Sequence, residues 1–406
     1  MPSDGRGSKL ISSEEDKPRN PHFSFWVLDR DLTLLFACNL VGAFGDGLYS
    51  YLLPIYLSDS LGANSVQVGI LYAIVSLLAA SSLLVAGMLA DKYDRRKIMI
   101  AGWIAWIPAP LIFSIATNWA QAIPGMILWG IWLGGPTTTA YIVATADKNK
   151  LTLTFTMIST AWSIGYVFSP AIGGYLAAVS NMHYVFYLAA VFYCLACAAL
   201  FFIRSQHGTD YAQRSLEEKA SFFKLLRGRK LLTLTVFFAS TMFILMMYRP
   251  FVVKFLEKVY GYGEFEIGVL GSVLFFGSAV LGILLGRLGD RKRKSYAFAV
   301  SMVLGSVSLL LAVRFGNFLI LLVAFFLAGG SYLIWSLMGA IVGPLAPERI
   351  RARWVSVPQT VSMFSSFVAP YVGGVLYDAS PYYPMFIAII AMAIIASLGF
   401  TRLLEE

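Results

Sequence analysis

The chain has 406 residues, of which 58% are hydrophobic and 13% charged, with a mean hydropathy of +0.72. Soluble domains carry about 25% charged residues and single cores stop growing near about 250–300 residues, so this apolar excess excludes an ordinary water-soluble protein. The net charge of +9 would suit nucleic acid if it formed one patch, but it is spread along the chain in a pattern that membrane topology explains.

Residues 1–31 are polar, mixed in charge and proline-containing, and read as a loose N-terminal tail. Apolar runs of roughly 20 residues, each long enough to cross a bilayer as a helix, then recur twelve times. The first six are placed at 32–57, 66–90, 98–116, 121–144, 153–178 and 184–203 (spans 1–6). The first run is too long for a signal-peptide core and has no small-residue cleavage site, so it is expected to stay as an anchor. A polar linker covers 204–230, with a short surface helix expected around Ala220–Arg227. The second six follow at 231–256, 267–288, 296–313, 317–345, 354–376 and 382–403 (spans 7–12), before a short tail, 404–406. The fold class expected is all-α integral membrane, with bundles at 32–203 and 231–403.

On the N-terminal side of these spans lie 27 of the 31 Lys and Arg, leaving only Arg249, Lys254, Lys258 and Arg314 elsewhere. Positive loops stay inside, which predicts cytoplasmic termini, a multi-pass protein of the cell membrane, and contacts with anionic lipid without nucleic acid. Cys38, Cys194 and Cys197 all lie in apolar runs and read as packing residues. His22, His183 and His207 fall in the tail or loops. No metal-ligand cluster, cofactor motif or nucleophile–base pair is visible, and no phosphate-binding G-x-x-x-x-G-K-[ST] loop occurs. An enzyme or an ATP-driven pump is therefore not expected.

The two halves repeat one another. Gly87-Met-Leu-Ala-Asp91-Lys92-Tyr-Asp94-Arg95-Arg96-Lys97 returns as Gly286-Arg287-Leu288-Gly289-Asp290-Arg291-Lys292-Arg293-Lys294, an offset of 286 − 87 = 199 residues. Gly165-x-x-x-Ser169-Pro170-Ala-Ile-Gly173-Gly174 in span 5 returns as Ser365-x-x-x-Ala369-Pro370-Tyr-Val-Gly373-Gly374 in span 11. The loop pattern resembles the segment between helices 2 and 3 of major facilitator superfamily transporters. Same-sense repeats imply two six-helix halves about an axis along the membrane normal. The resemblance covers about 32–403 and implies a secondary transporter working by alternating access, expected as a monomer. It also implies that the loops latch the halves while the site faces outward, with Gly87, Asp91, Arg95, Arg96, Gly286, Asp290 and Arg291 as gate residues. Asp94 stands where the family usually has glycine. Span 4 lacks the arginine of many proton-coupled exporters.

Asp46, between Gly45 and Gly47 in span 1, is the acid placed well inside an apolar run. A carboxylate at that depth is costly unless paired, protonated or wet, so Asp46 is the candidate for proton coupling. The competing reading is a structural acid facing Asn39, seven residues earlier on the same face. Arg249, before Pro250 in span 7, either faces a cavity, holding an anionic group or Asp46, or snorkels to the outer surface; snorkelling is favoured from sequence. Lys254 reads as an edge residue.

In the resembling family spans 1, 4, 7 and 10 line the central cavity. That makes Asn39, Asp46, Trp129, Trp132, Tyr141, Met246, Arg249, Tyr332 and Trp335 the candidate solute contacts. Trp129/Trp132 and Tyr332/Trp335 are i, i+3 pairs, each sharing a helical face, and such faces can stack a sugar or an amphipathic cation. Lipid-facing packing is the alternative for any one of them. Gly165, Pro170, Gly173, Gly174, Pro370, Gly373 and Gly374 give smooth, kinkable helix-packing faces. The favoured reading is proton-linked export of an amphipathic or cationic solute. Alternatives are a sugar or metabolite carrier and, more remotely, a membrane enzyme or a transport-fold receptor.

Overall fold

The computed structural model describes residues 28–147, 150–207, 229–345 and 351–401, with the side chains of Leu84, Asp91, Thr152, Ser336, residues 343–344 and residues 351–356 outside that description. The surface helix expected around Ala220–Arg227 and most of the tail and linker therefore lie outside the described residues.

Every described element is helical. Span 1 runs Arg30–Ser50 and continues, after a break at Tyr51 and Leu52, as Leu53–Asp59 with Pro54 in its first turn. Span 2 is Ser65–Lys92, opened by a reciprocal cap in which Asn64 Oδ1 accepts from Gln67 N–H at 2.8 Å and Gln67 Oε1 accepts from Asn64 N–H at 2.9 Å. Span 3 is Arg95–Trp106 and Pro108–Ile115. Spans 5 and 6 are Leu151–Val179 and Met182–Leu200. In the second half, spans 7, 8 and 9 are Arg229–Tyr260, Glu264–Arg291 and Lys294–Arg314. Spans 11 and 12 are Arg351–Ala379 and Tyr383–Phe400. Nine of these helices are long and apolar enough to cross a bilayer among the described residues.

Spans 4 and 10, expected as single helices, are both broken. Span 4 comprises Ile123–Gly130 and Gly134–Thr145, and span 10 comprises Phe318–Ala328, a 3-10 turn Gly329–Leu333, and Ile334–Leu345. Pro136 explains the first break: its ring would collide with the carbonyl four residues back, at Trp132. The freed groups find partners, Ile131 O accepting from Trp106 Nε1 at 2.7 Å and Trp132 N–H donating to Ser82 Oγ at 2.9 Å. In span 10, Gly329 lies so close to span 8 that a Cβ there would strike Ser278 N and Leu274 O. The Gly330 carbonyl is taken by Ser301 Oγ at 2.7 Å. The breaks occupy equivalent places in the repeat, 330 − 131 = 199 residues apart.

The same offset governs how helices cross. A Cβ added at Gly173 would strike Leu48 O, and one at Gly373 would strike Met247 O; Leu48 and Met247 are themselves 247 − 48 = 199 residues apart. Across the seam between halves, Gly174 faces Glu264 O and Gly268, while Gly374 faces Ser65 O and Val66. Pro170 O abuts Gly268, as Pro370 O abuts Gly69. Gly165 in turn lies against Leu40 O and Phe44 N of span 1. Two equivalent seams, span 5 on span 8 and span 11 on span 2, thus lock the halves near the ends of the helices remote from the described termini.

At that far end Lys258 Nζ meets Asp59 Oδ1 at 2.9 Å from the other half. Lys254, expected at the edge, is instead only 4% exposed, with Nζ 3.3 Å from Ser65 Oγ and 5.3 Å above the Tyr377 ring. The close crossing of spans 2, 7 and 11 covers it. At the opposite end, nothing among the described residues lies within 4 Å of a Cβ built on Gly87 or Gly286.

Arg95 donates to Ala140 O at 3.2 Å and Gln206 Oε1 at 2.8 Å, and Arg96 to Leu200 O at 3.1 Å and Phe201 O. Both arginines tie spans 3, 4 and 6 together inside the first half. In the second loop Gly286, Asp290 and Arg291 are exposed. Asp91's side chain lies outside the description.

Asp94 turns out to be the organiser of the first loop. It caps span 3 through Arg96 N–H at 3.0 Å and receives Ser205 Oγ at 2.5 Å and Gln206 N–H at 3.3 Å. Burial pushes this carboxyl up, but the hydrogen bonds from Ser205, Gln206 and Arg96 outweigh it and hold it below the usual carboxylate range. Asp94→Ala should destabilise the protein by about 1–2 kcal/mol at neutral pH, read as a lower unfolding temperature in detergent. A carboxyl with a lowered folded-state pKa stabilises above its unfolded value and loses that contribution as pH falls through the folded one. The gap between wild type and Asp94→Ala should therefore be full at neutral pH and close in acid.

Candidate functional site

The centre of the first bundle is built around Asp46, which is 3% exposed. Oδ1 accepts from Trp129 Nε1 at 2.8 Å and Tyr193 Oη at 2.6 Å, and Oδ2 accepts from Tyr166 Oη. Tyr49 Oη stands 3.0 Å from Tyr193 Oη. Four spans therefore converge on one carboxyl. The flanking glycines make room: a Cβ at Gly45 would lie 2.7 Å from Phe192 Cβ, and one at Gly47 3.1 Å from Tyr166 Cδ1. The helix stays unbroken through 45–47, so these glycines serve approach and not a kink.

Asn39 is not the partner of Asp46. Its Oδ1 accepts from Trp162 Nε1 at 2.6 Å and its Nδ2 donates to Leu35 O at 2.7 Å. No Lys, Arg or His lies at ion-pair distance from Asp46 among the described residues; its neighbours are neutral donors. An acid so placed can exchange a proton without breaking a salt bridge.

Two cavities flank this cage. The larger, about 120 Å³, lies inside the first bundle and is lined by Asn39, Trp103, Trp106, Trp132, Thr138 and Trp162 among others. Among the described residues its lining holds no Asp, Glu, Lys or Arg. It backs onto the cage through Tyr193, whose ring centroid is 5.5 Å from Trp103 and 5.8 Å from Trp106. The break in span 4 separates Trp129 from Trp132: the former binds Asp46, the latter faces this cavity and is 38% exposed. Their expected shared face is therefore lost, because 131–133 is not helical.

The smaller cavity, about 30 Å³, lies on the other side of the seam and is lined by Arg249, Tyr248, Tyr332 and Tyr51. Arg249 does not snorkel. Its guanidinium carbon sits 3.9 Å from the centroid of Tyr332, and Nη2 donates to Ser331 O at 3.2 Å. A file of rings joins the two centres across the halves. Tyr166 packs on Phe275 at 4.6 Å, and Phe275 on Tyr332 at 5.6 Å between centroids.

Other candidates fall outside these cavities. Tyr141 is buried near the terminal end, donating to Asp31 Oδ2 at 3.3 Å and Arg204 O at 3.1 Å, and so holds span 4 to the ends of spans 1 and 6. Met246 and Trp335 are half-buried against the apolar core and line neither cavity. Tyr166 and Tyr193 were not singled out from sequence, because tyrosines within apolar runs look like filler. The glycines at 45 and 47 were the available signal, since they admit spans 5 and 6 to the acid.

Two pseudo-symmetric helical bundles meeting at a seam, with a buried acid and aromatic-lined hollows beside it, define a membrane transporter. The chain belongs to the Major Facilitator Superfamily, whose model matches residues 35–265 and again 250–406, and is thus a secondary transporter of multi-pass membrane type. Among curated relatives, it is 22% identical over 347 residues to "Multidrug resistance protein 2" of Bacillus subtilis (strain 168), covering 82% of this chain and 86% of that protein. It is 24% identical over 360 residues to "Quinolone resistance protein NorA" of Staphylococcus aureus (strain MRSA252), covering 85% and 89%. Among solved structures, the nucleoside transporter NupG superimposes with a TM-score of 0.74 at 14% identity, covering 91% of this chain and 96% of that one. That likeness shows the shared fold.

Proposed function

We propose that this protein exports amphipathic aromatic solutes, neutral or singly cationic, in exchange for protons carried by Asp46. The carrying observation is the Asp46 cage: a buried carboxyl held by Trp129, Tyr166 and Tyr193 with no cationic partner among the described residues. The tryptophan-lined cavity beside it supports the solute class, since indole faces attract apolar rings and delocalised cations. The names of the curated relatives favour drug export over sugar uptake. The terminal side is read as cytoplasmic from its Lys and Arg excess. With the far-end seams closed and no described residue against Gly87 or Gly286, the conformation is read as open to the cytoplasm, with the loop latch of Asp91 and Asp290 released. The protein functions as a monomer in this reading, with both termini inside.

The test is exchange in proteoliposomes containing the purified chain. An imposed pH gradient should drive uptake of a fluorescent aromatic cation into inverted vesicles, and solute addition should in turn move protons. Sugar flux without proton movement would overturn the proposal.

A further inference from the structure

We propose that the small cavity at Arg249 is a carboxylate subsite, so that the neutral solutes exported include zwitterions, which carry a carboxylate beside a cationic group and an aromatic body. The inference rests on the transporter reading of the midplane and deepens it.

Arg249 projects from span 7 into a membrane-embedded region, where a cation normally faces a counter-charge. Among the described residues the cavity lining holds no Asp or Glu, and the guanidinium meets only uncharged groups, the Tyr332 ring face, the Ser331 carbonyl and the Tyr248 hydroxyl. Its Nε–H is buried without a hydrogen-bond partner among the described residues. The Nε/Nη edge of a guanidinium is a planar fork matched to the two oxygens of a carboxylate. Stacking on Tyr332 fixes the plane of that fork.

A second unpartnered donor lines the same space. Tyr51 Oη is buried and without a partner among the described residues. Tyr51 belongs to the other half, at the break between Arg30–Ser50 and Leu53–Asp59. Its ring reaches across the seam onto span 8 because position 271 is glycine; a Cβ there would lie 2.7 Å from the ring. Two unmet donors, one from each half, thus line a hollow of about 30 Å³. That volume exceeds the ~10–15 Å³ needed for one water and suits a compact anionic head, with the solute's body lying along the seam. Occupancy would join the halves through Arg249 and Tyr51 and favour this conformation.

The test is equilibrium binding to purified full-length protein in detergent, with benzoate as probe and benzamide as its uncharged counterpart. Benzoate should bind more tightly than benzamide. Arg249→Gln should weaken benzoate about 30-fold or more, and Tyr51→Phe about tenfold, with benzamide binding unchanged in both. Tyr51→Phe keeps the ring on Gly271, so it reports on the hydroxyl even if Arg249→Gln folds poorly. Equal affinity for acid and amide, or a benzoate preference that survives both substitutions, would overturn the proposal. So would displacement of benzoate by chloride at equal affinity, which would make the occupant a free inorganic anion. Because binding requires no turnover, absent proton exchange with an intact benzoate preference would defeat only the proposed function. Normal exchange without the preference would defeat only the subsite.

Discussion

Replacing Asp46 by asparagine should abolish proton-linked transport while leaving the fold and solute binding in place. The two acceptor oxygens of Asp46 serve three donors, Trp129 Nε1, Tyr193 Oη and Tyr166 Oη. Asparagine keeps one oxygen, enough for the indole N–H and one hydroxyl. Its amide can donate to the remaining tyrosine, because a hydroxyl rotates to accept as readily as it donates. The cage is therefore satisfied by a group that cannot ionise. Asp46→Leu would be uninformative, since each stranded buried donor costs about 1–3 kcal/mol and three would be stranded together. In proteoliposomes, Asp46→Asn should show no solute accumulation driven by a pH gradient and no proton movement on adding solute. Downhill solute movement without coupling remains compatible with the idea. Retained uphill export in a folded Asp46→Asn protein would show that the proton travels elsewhere.

The tyrosines make a graded companion to that experiment. Tyr193→Phe removes one donor to Oδ1 and the contact with Tyr49 Oη, whereas Tyr166→Phe frees Oδ2. Tyr166 also packs on Phe275 of the second half. The cage is thus in contact with the surface across which the halves move. A proton arriving at Asp46 alters the bonds of a ring that touches span 8, which is a short physical route from protonation to rearrangement.

Much of the architecture could be read from the chain because a repeat constrains two halves at once. The matching glycines and prolines of spans 5 and 11 mark the close crossings, and the offset that relates Gly87 to Gly286 also relates Leu48 to Met247. Asp46 stood out because a charge inside an apolar run is conspicuous. What surrounds it did not. Hydropathy is blind to a break in the backbone, so spans 4 and 10 looked continuous although Pro136 acts four residues back, on Trp132. Once the helix is broken there, the periodicity that paired Trp129 with Trp132 no longer applies. Tyr141 was misplaced for a related reason: helical spacing gives a face but not a depth, and this residue sits at the terminal end among Asp31 and Arg204. Arg249 and Lys254 were read as reaching for water, but the seam carries them inward, and only knowledge of which spans cross could have shown it.

The seam itself supplies the other large expected effect. A Cβ on Gly174 would strike Glu264 O and stand 3.1 Å from Gly268 Cα. These are backbone atoms of the opposite half and cannot swing aside. Overpacking of this kind costs about 1–3 kcal/mol, charged solely to the conformation in which spans 5 and 8 meet. A penalty of that size shifts a two-state equilibrium by about 5–150-fold, so Gly174→Val should hold the far side open and slow turnover correspondingly. The shift can be read at Ser65, which is 7% exposed beside the other seam, by introducing Ser65→Cys after replacing Cys38, Cys194 and Cys197. Labelling by an impermeant maleimide added from the far side should rise in Gly174→Val. Gly87→Val is the counterpart. Its Cβ meets nothing among the described residues, so this conformation bears no cost from them, and if the loop closes on its neighbour in the alternate state that state alone is penalised. The two substitutions should therefore move Ser65→Cys labelling in opposite directions. Changes of the same sign would mean that the seams and the loop do not belong to opposing ends of one rocking motion.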